Sequence, residues 1–152
     1  MSHSRLKVAL IGVGGWGRQH ARVFSAHPDV DFCAIAGRTP EKTQARAAEY
    51  GVRAYLSVGE MLKREKPDVV SLCLPNQGHF EATSEVIQWG QCALLVEKPL
   101  VFDLREADIL LSEAEKRGRF FAINFNHRYS KPALMAQVAI SAGRLGDSVP
   151  WL

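Results

Sequence analysis

Along the chain, short continuous apolar runs alternate with longer stretches in which apolar residues recur at every third or fourth position. The short runs predict strands buried on both faces, and the longer stretches predict amphipathic helices that cross between them. Strands are predicted at Lys7–Ile11, Asp31–Ala36, Val69–Leu74, Cys92–Val96 and Phe120–Phe125, with a short one near Arg53–Tyr55. Helices are predicted at Trp16–Ala26, Glu41–Tyr50, Val58–Glu65, Phe80–Gln88, Leu104–Arg117 and Pro132–Ala142. This alternation implies an α/β fold, a doubly wound parallel sheet of about six strands with helices on both faces. Local signals mark the ends: Thr39 before Pro40 and Asp103 as N-caps, Gly51 and Gly118 as helix stops, and a final stop at Gly143-Arg144-Leu145-Gly146.

Composition narrows the class. With 152 residues, 47% hydrophobic and 23% charged, the chain is of single-domain size and ordinary globular character. Nineteen Lys and Arg against sixteen Asp and Glu give a net charge of +3, scattered without a basic run, so no nucleic-acid partner is expected. The apolar runs are far shorter than the roughly 20 residues of a membrane span, and Met1-Ser2-His3-Ser4-Arg5 leads into no signal peptide; a cytoplasmic location is expected. Cys33, Cys73 and Cys92 stand apart in apolar segments and read as reduced, buried thiols. The histidines, His3, His20, His27, His79 and His127, show no metal-ligand spacing, and no metal is expected.

Gly12-Val13-Gly14-Gly15-Trp16-Gly17 matches G-x-G-x-x-G between a predicted buried strand and an amphipathic helix. In that context Gly12 permits the tight turn and Gly14 lets the backbone approach a pyrophosphate. Gly17 allows close helix–strand packing, and the helix opening at Gly15-Trp16 offers free N–H groups. The motif therefore predicts a Rossmann-type dinucleotide site. About twenty residues further on, where a carboxylate would hold the ribose hydroxyls of NAD, stand Gly37-Arg38-Thr39. Gly37 leaves room for a 2′-phosphate, Arg38 offers a permanently charged bidentate partner and Thr39 a hydroxyl, so NADP is the expected cofactor, with NAD still admissible. The alternative is that Arg38 is a solvated loop residue.

Four segments carry a resemblance over almost the whole chain: Val8 to Gly17, Leu74-Pro75-Asn76 with His79, Val96-Glu97-Lys98-Pro99-Leu100, and Asn124 to Arg128 followed by Gly143 to Gly146. Together they resemble the N-terminal domain of the glucose-fructose oxidoreductase, inositol dehydrogenase and MocA (Gfo/Idh/MocA) family. The resemblance implies that Leu74, Pro75, Asn76 and His79 lie beside the nicotinamide ribose. It implies that Lys98 reaches the substrate oxygen, that Glu97 and Lys98 contact the cofactor, and that a cis peptide precedes Pro99. Burial and neighbouring positive charge would tune such a lysine for proton transfer. For His79 the alternative is a polar residue at a helix start that binds nothing. Asn126 and Arg128 border the nicotinamide end by the same resemblance, or else satisfy backbone groups where the chain leaves the sheet.

Motifs and resemblance together predict the NAD(P)-binding domain (residues 1–146) of an oxidoreductase that moves hydride between NADP(H) and a sugar, polyol or similar substrate. Residues 147–152 read as a short tail at the start of an absent second domain. That domain carries the family's acid and histidine, Asp-x-x-x-His; no aspartate stands four residues before His127. Alone, the chain is expected to bind cofactor with little turnover, because hydride transfer needs a positioned substrate and excluded water. Completion by a homo- or hetero-oligomeric partner fits apolar residues near Phe125, Tyr129, Trp151 and Leu152. The alternative is a non-catalytic NADP(H) sensor or regulatory module, which would have no use for Lys98.

Overall fold

A computed structural model describes residues 4–144 and residue 146. Strands β1 (Leu6–Ile11), β2 (Val30–Ala36), β3 (Arg53–Tyr55), β4 (Val69–Leu72), β5 (Ala93–Glu97) and β6 (Phe121–Asn124) form one sheet in the order β3-β2-β1-β4-β5-β6. Every pairing is parallel. Helices α1 (Gly15–Ala26) and α2 (Pro40–Tyr50) cover one face; α3 (Val58–Glu65), α4 (His79–Trp89) and α5 (Leu104–Lys116) cover the other. The strand order reverses between β1 and β4, which opens a crevice at their C-terminal ends, where doubly wound sheets bind ligands.

The side-chain alternation of β4 shows how the two faces are built. Val70 and Leu72 join the larger core beneath α3–α5 with Met61, Leu62, Val86 and Leu110. Cys73, just beyond the strand, joins the smaller core under α1 with Leu10, Ala21 and Ile35. Ser71, between them, is fully buried on the α1 face and hydrogen-bonds to His20 of that helix. The three cysteines are free and buried, which holds their thiols well above the ordinary range, Cys73 at about 12 and the others at about 11.

Several ends differ from the sequence reading. β4 stops at Leu72, because its partner β1 ends at Ile11 where the glycine turn begins, and Ile11 and Leu72 are the last paired residues. β5 is shifted by one residue, which places Glu97 inside the sheet opposite Asn124. α4 starts at His79, after a 3-10 turn at Asn76–Gly78, and a second 3-10 turn, Asn126–Tyr129, precedes the last helix, α6 (Lys131–Ser141). Thr39 occupies the N-cap of α2 without a side-chain cap bond; instead the Thr43 hydroxyl donates back to the Thr39 carbonyl at 2.8 Å. Asp103 does cap α5, accepting from the Arg105 amide at 2.8 Å, and Gly51 closes α2 in the left-handed region at φ 67°. Leu145 and residues 147–152, with Trp151 and Leu152, lie outside the described residues. No described helix is long and apolar enough to cross a membrane.

One buried carboxylate ties the opposite edge of the sheet together. Glu65, 3% exposed at the end of α3, accepts hydrogen bonds from Arg53 and Tyr55 of β3 and pairs with Lys7 of β1 at 3.2 Å. Burial alone would raise its pKa; the donors Arg53, Tyr55 and Lys7 outweigh it and hold the carboxyl below its ordinary range. A depressed folded-state value stabilises the fold above the unfolded-state pKa, and that contribution is lost as pH falls through the folded value. Glu65→Gln is therefore expected to cost about 3 kcal/mol in urea unfolding at neutral pH. The gap between variant and parent should shrink as the pH is lowered toward about 3.

Candidate dinucleotide-binding crevice

The crevice is made by close backbone packing. Gly12, at φ 114°, leaves β1 so tightly that a Cβ there would lie 2.2 Å from the Cys73 carbonyl oxygen; one on Gly17 would lie 2.3 Å from the oxygen of Gly12. Gly14 and Gly15 differ: an added Cβ meets nothing within 4 Å, because it would point into the open crevice. Gly14 is the N-cap of α1, supplies no side-chain cap, and the first turn holds no acid. The opening amides of a 12-residue helix are thus left facing a cavity, which is the arrangement that accepts an anion. A pyrophosphate fits this cradle.

From the turn the crevice runs both ways. On one side a cavity of about 380 Å³ lies between Gly12–Gly15, Gly37-Arg38-Thr39 and Pro75. It continues past Arg38 into a second cavity of about 390 Å³, where Leu56, Val58, Leu74 and Ala82 offer apolar surface that suits a heterocyclic base and Gln77, Glu81 and Glu85 supply the polar lining. On the other side about 340 Å³ opens between Gly14, Trp16, Pro75-Asn76 and Glu97-Lys98. Gly14, Gly15, Cys73, Leu74 and Pro75 line both flanking cavities, so the groove is continuous from Arg38 to Lys98.

The fold brings most of the residues singled out from the sequence to this groove, with exceptions. Gly37 has a packing role as well, since a Cβ there would lie 2.5 Å from the Thr43 hydroxyl. His79 does not face the crevice. It is fully buried, with Nε2 2.9 Å from the Leu74 carbonyl oxygen and Nδ1 3.2 Å from that of Leu100, so it ties the end of the β4 segment to the Lys98-Pro99 turn from behind. Lys98, in the turn with the cis Lys98–Pro99 bond, is exposed. Asn126 lines a neighbouring cavity with Trp16, His20 and Asn124, while Arg128 is exposed and lines none of these cavities.

Two groups of residues escaped the sequence reading. Lys42 and Arg46 of α2 line the same cavity as Arg38 and Thr39. Arg46 pairs with Glu49 yet keeps a buried Nε without a partner, and neither Arg38 nor Lys42 forms an ion pair among the described residues. Their spacing from Arg38, four and eight residues on, is that of one face of a helix beginning at Pro40, and that was the available signal. The second group is Ser71, His20 and Asn124, which form a polar network around Glu97, itself singled out from the sequence. His20 Nδ1 lies 2.9 Å from Ser71 Oγ, His20 Nε2 lies 2.9 Å from Glu97 Oε1, and Asn124 donates to the same Oε1 at 2.6 Å. His20, Cys73 and Glu97 place possible ligand atoms within 4.8 Å of one another, a grouping that linear spacing concealed. Burial pushes the Cys73 thiol up to about 12, and the other side chains are joined by the hydrogen bonds just described.

A parallel sheet in this order, with a Cβ-free cradle at its switch point, defines a dinucleotide-binding Rossmann domain. The chain belongs to the Gfo/Idh/MocA family, described as an oxidoreductase family with an NAD-binding Rossmann fold, whose profile matches residues 6–125. It is 32% identical over 149 residues to D-glucoside 3-dehydrogenase of Escherichia coli (strain K12), covering 97% of this chain and 42% of that protein. It is 25% identical over 142 residues to inositol 2-dehydrogenase of Rhizobium meliloti (strain 1021), covering 93% and 42%. Among solved structures, GenD2 from gentamicin A biosynthesis in complex with NAD superposes with a TM-score of 0.87 at 30% identity, covering 94% of this chain and 41% of that one. The chain thus spans about two fifths of the length of these relatives.

The glycines separate folding from binding. Gly14→Ala is expected to cost no more than about 1 kcal/mol and to weaken dinucleotide binding at least about tenfold, because its methyl enters the phosphate cradle. Gly17→Ala, whose methyl meets backbone, is expected to cost about 3 kcal/mol and lower the melting temperature by roughly 10 °C. Thermal melts and cofactor titrations of the two variants check both.

Proposed function

We propose that the chain is the cofactor-holding part of an oxidoreductase that transfers hydride between NADP(H) and a sugar, polyol or similar alcohol or carbonyl compound. The observation that carries this reading is the continuous groove with Arg38 and Lys42, which form no ion pair among the described residues, at one end and Lys98 at the other. The glycine cradle and the α1 amides hold the pyrophosphate, Pro75 and Asn76 border the ribose, and Trp16 and Lys98 flank the far end. When bound, the nicotinamide supplies the hydride chemistry. Lys98 then donates a hydrogen bond to the substrate oxygen and moves its proton. The names of the relatives, a glucoside 3-dehydrogenase and an inositol 2-dehydrogenase, support a polyhydroxylated substrate.

The preference for NADP rests on residues, since the GenD2 structure contains NAD. No acid stands at Gly37-Arg38-Thr39 to meet a ribose diol, and Arg38, Lys42 and the buried Arg46 Nε surround the place a 2′-phosphate would take. Turnover by this chain alone is expected to be low, because Lys98 is exposed and the groove is open to water. The same reading includes a cytoplasmic location and a second protein surface, in the same or another polypeptide, that closes the groove. Phe125 and Tyr129 are 50% and 79% exposed. The exposure of Lys98 also favours a second reading, a non-catalytic NADP(H)-binding module.

Calorimetric titration of the chain with NADPH and NADH tests the preference. Arg38→Ala is expected to weaken NADPH roughly tenfold or more and leave NADH within about twofold. Equal weakening of both would remove Arg38 from the phosphate site.

A further inference from the structure

Glu97 is the one acidic side chain among the described residues lining the groove between Trp16 and Lys98. Its side chain is 6% exposed. Both of its donors, His20 and Asn124, converge on Oε1, and among the described residues Oε2 accepts no hydrogen bond. The network reaches back from Glu97 through α1 to β4. Cys73 Sγ, on a thiol that burial pushes up to about 12, lies 3.9 Å from Ser71 Oγ, which in turn lies 2.9 Å from His20 Nδ1. His20 Nε2 lies 2.9 Å from Glu97 Oε1 and 3.3 Å from Asn124 Nδ2. Among the described residues no lysine or arginine pairs with Glu97; its partners are His20 and Asn124. The nearest cation in sequence, Lys98, is exposed and screened by water.

We propose that Glu97 reads the oxidation state of the dinucleotide: its buried carboxylate favours the oxidised nicotinamide ring, which carries a positive charge, over the neutral reduced ring. The inference rests on the reading that the nicotinamide lies between Trp16 and Lys98. His20 and Asn124 act as positioning residues, because they fix the carboxylate against the groove wall. A charge pair within such a partly desolvated groove is worth roughly tenfold in affinity. By linkage, a tenfold preference for the oxidised form lowers the two-electron potential of the bound couple by about 30 mV. Bound cofactor is thereby biased toward giving up hydride to a carbonyl.

The test is calorimetric titration of the chain with NADP⁺ and NADPH separately, and with NAD⁺ and NADH in parallel. The unaltered chain is expected to bind the oxidised form roughly tenfold tighter. Glu97→Gln, equal in shape, should weaken the oxidised form by about that factor and leave the reduced form within about threefold, whereas Glu97→Asp should keep the preference. The comparison on the unaltered chain stands even if the Gln variant unfolds. Reduced cofactor bound as tightly as oxidised, or an equal loss of both in Glu97→Gln, overturns the inference alone. Binding of neither form overturns the cofactor reading together with it.

Discussion

The contact on which the rest depends is the crossing of three backbone segments at Gly12, Gly17 and Cys73. A Cβ at either glycine would lie within 2.3 Å of a carbonyl oxygen, so only glycine lets β1 turn, α1 start and the β4 segment pass at this distance. That crossing sets the angle at which α1 leaves the sheet, and so aims its unfilled amides at the crevice. It also brings His20, one turn into α1, down onto Ser71 and Glu97. Phosphate cradle and polar network are consequences of one packing decision.

The fold was largely legible because its strands are buried on both faces and therefore appear as continuous apolar runs, each bounded by a helix signal. Strand ends were less legible. Leu74 looks like the last residue of a strand, yet pairing stops at Leu72, because the neighbouring strand has already turned at Gly12. Glu97 shows the converse case: a charged residue looks like the end of an apolar run, but Asn124 and His20 satisfy it inside the sheet.

The site was legible where it is local in sequence and hidden where it is assembled. The glycine turn and Arg38 are contiguous motifs. Positions 20, 71, 97 and 124 meet only through the strand order, and no spacing rule announces them. His79 illustrates a residue whose motif context pointed to the crevice while its side chain was needed behind it, holding the carbonyls of Leu74 and Leu100. The groove therefore combines two kinds of construction: an open, cationic end that meets solvent directly, and a far end in which a buried, prearranged carboxylate stands next to an exposed lysine.

Hydrogen–deuterium exchange of the chain with and without saturating NADPH tests the central claim, that the groove at the β1–β4 switch point holds the dinucleotide. Slowed exchange is expected in peptides spanning residues 12–18, 37–40 and 73–78, with the 131–141 helix unchanged. Protection confined to other segments, or none at all, would contradict it.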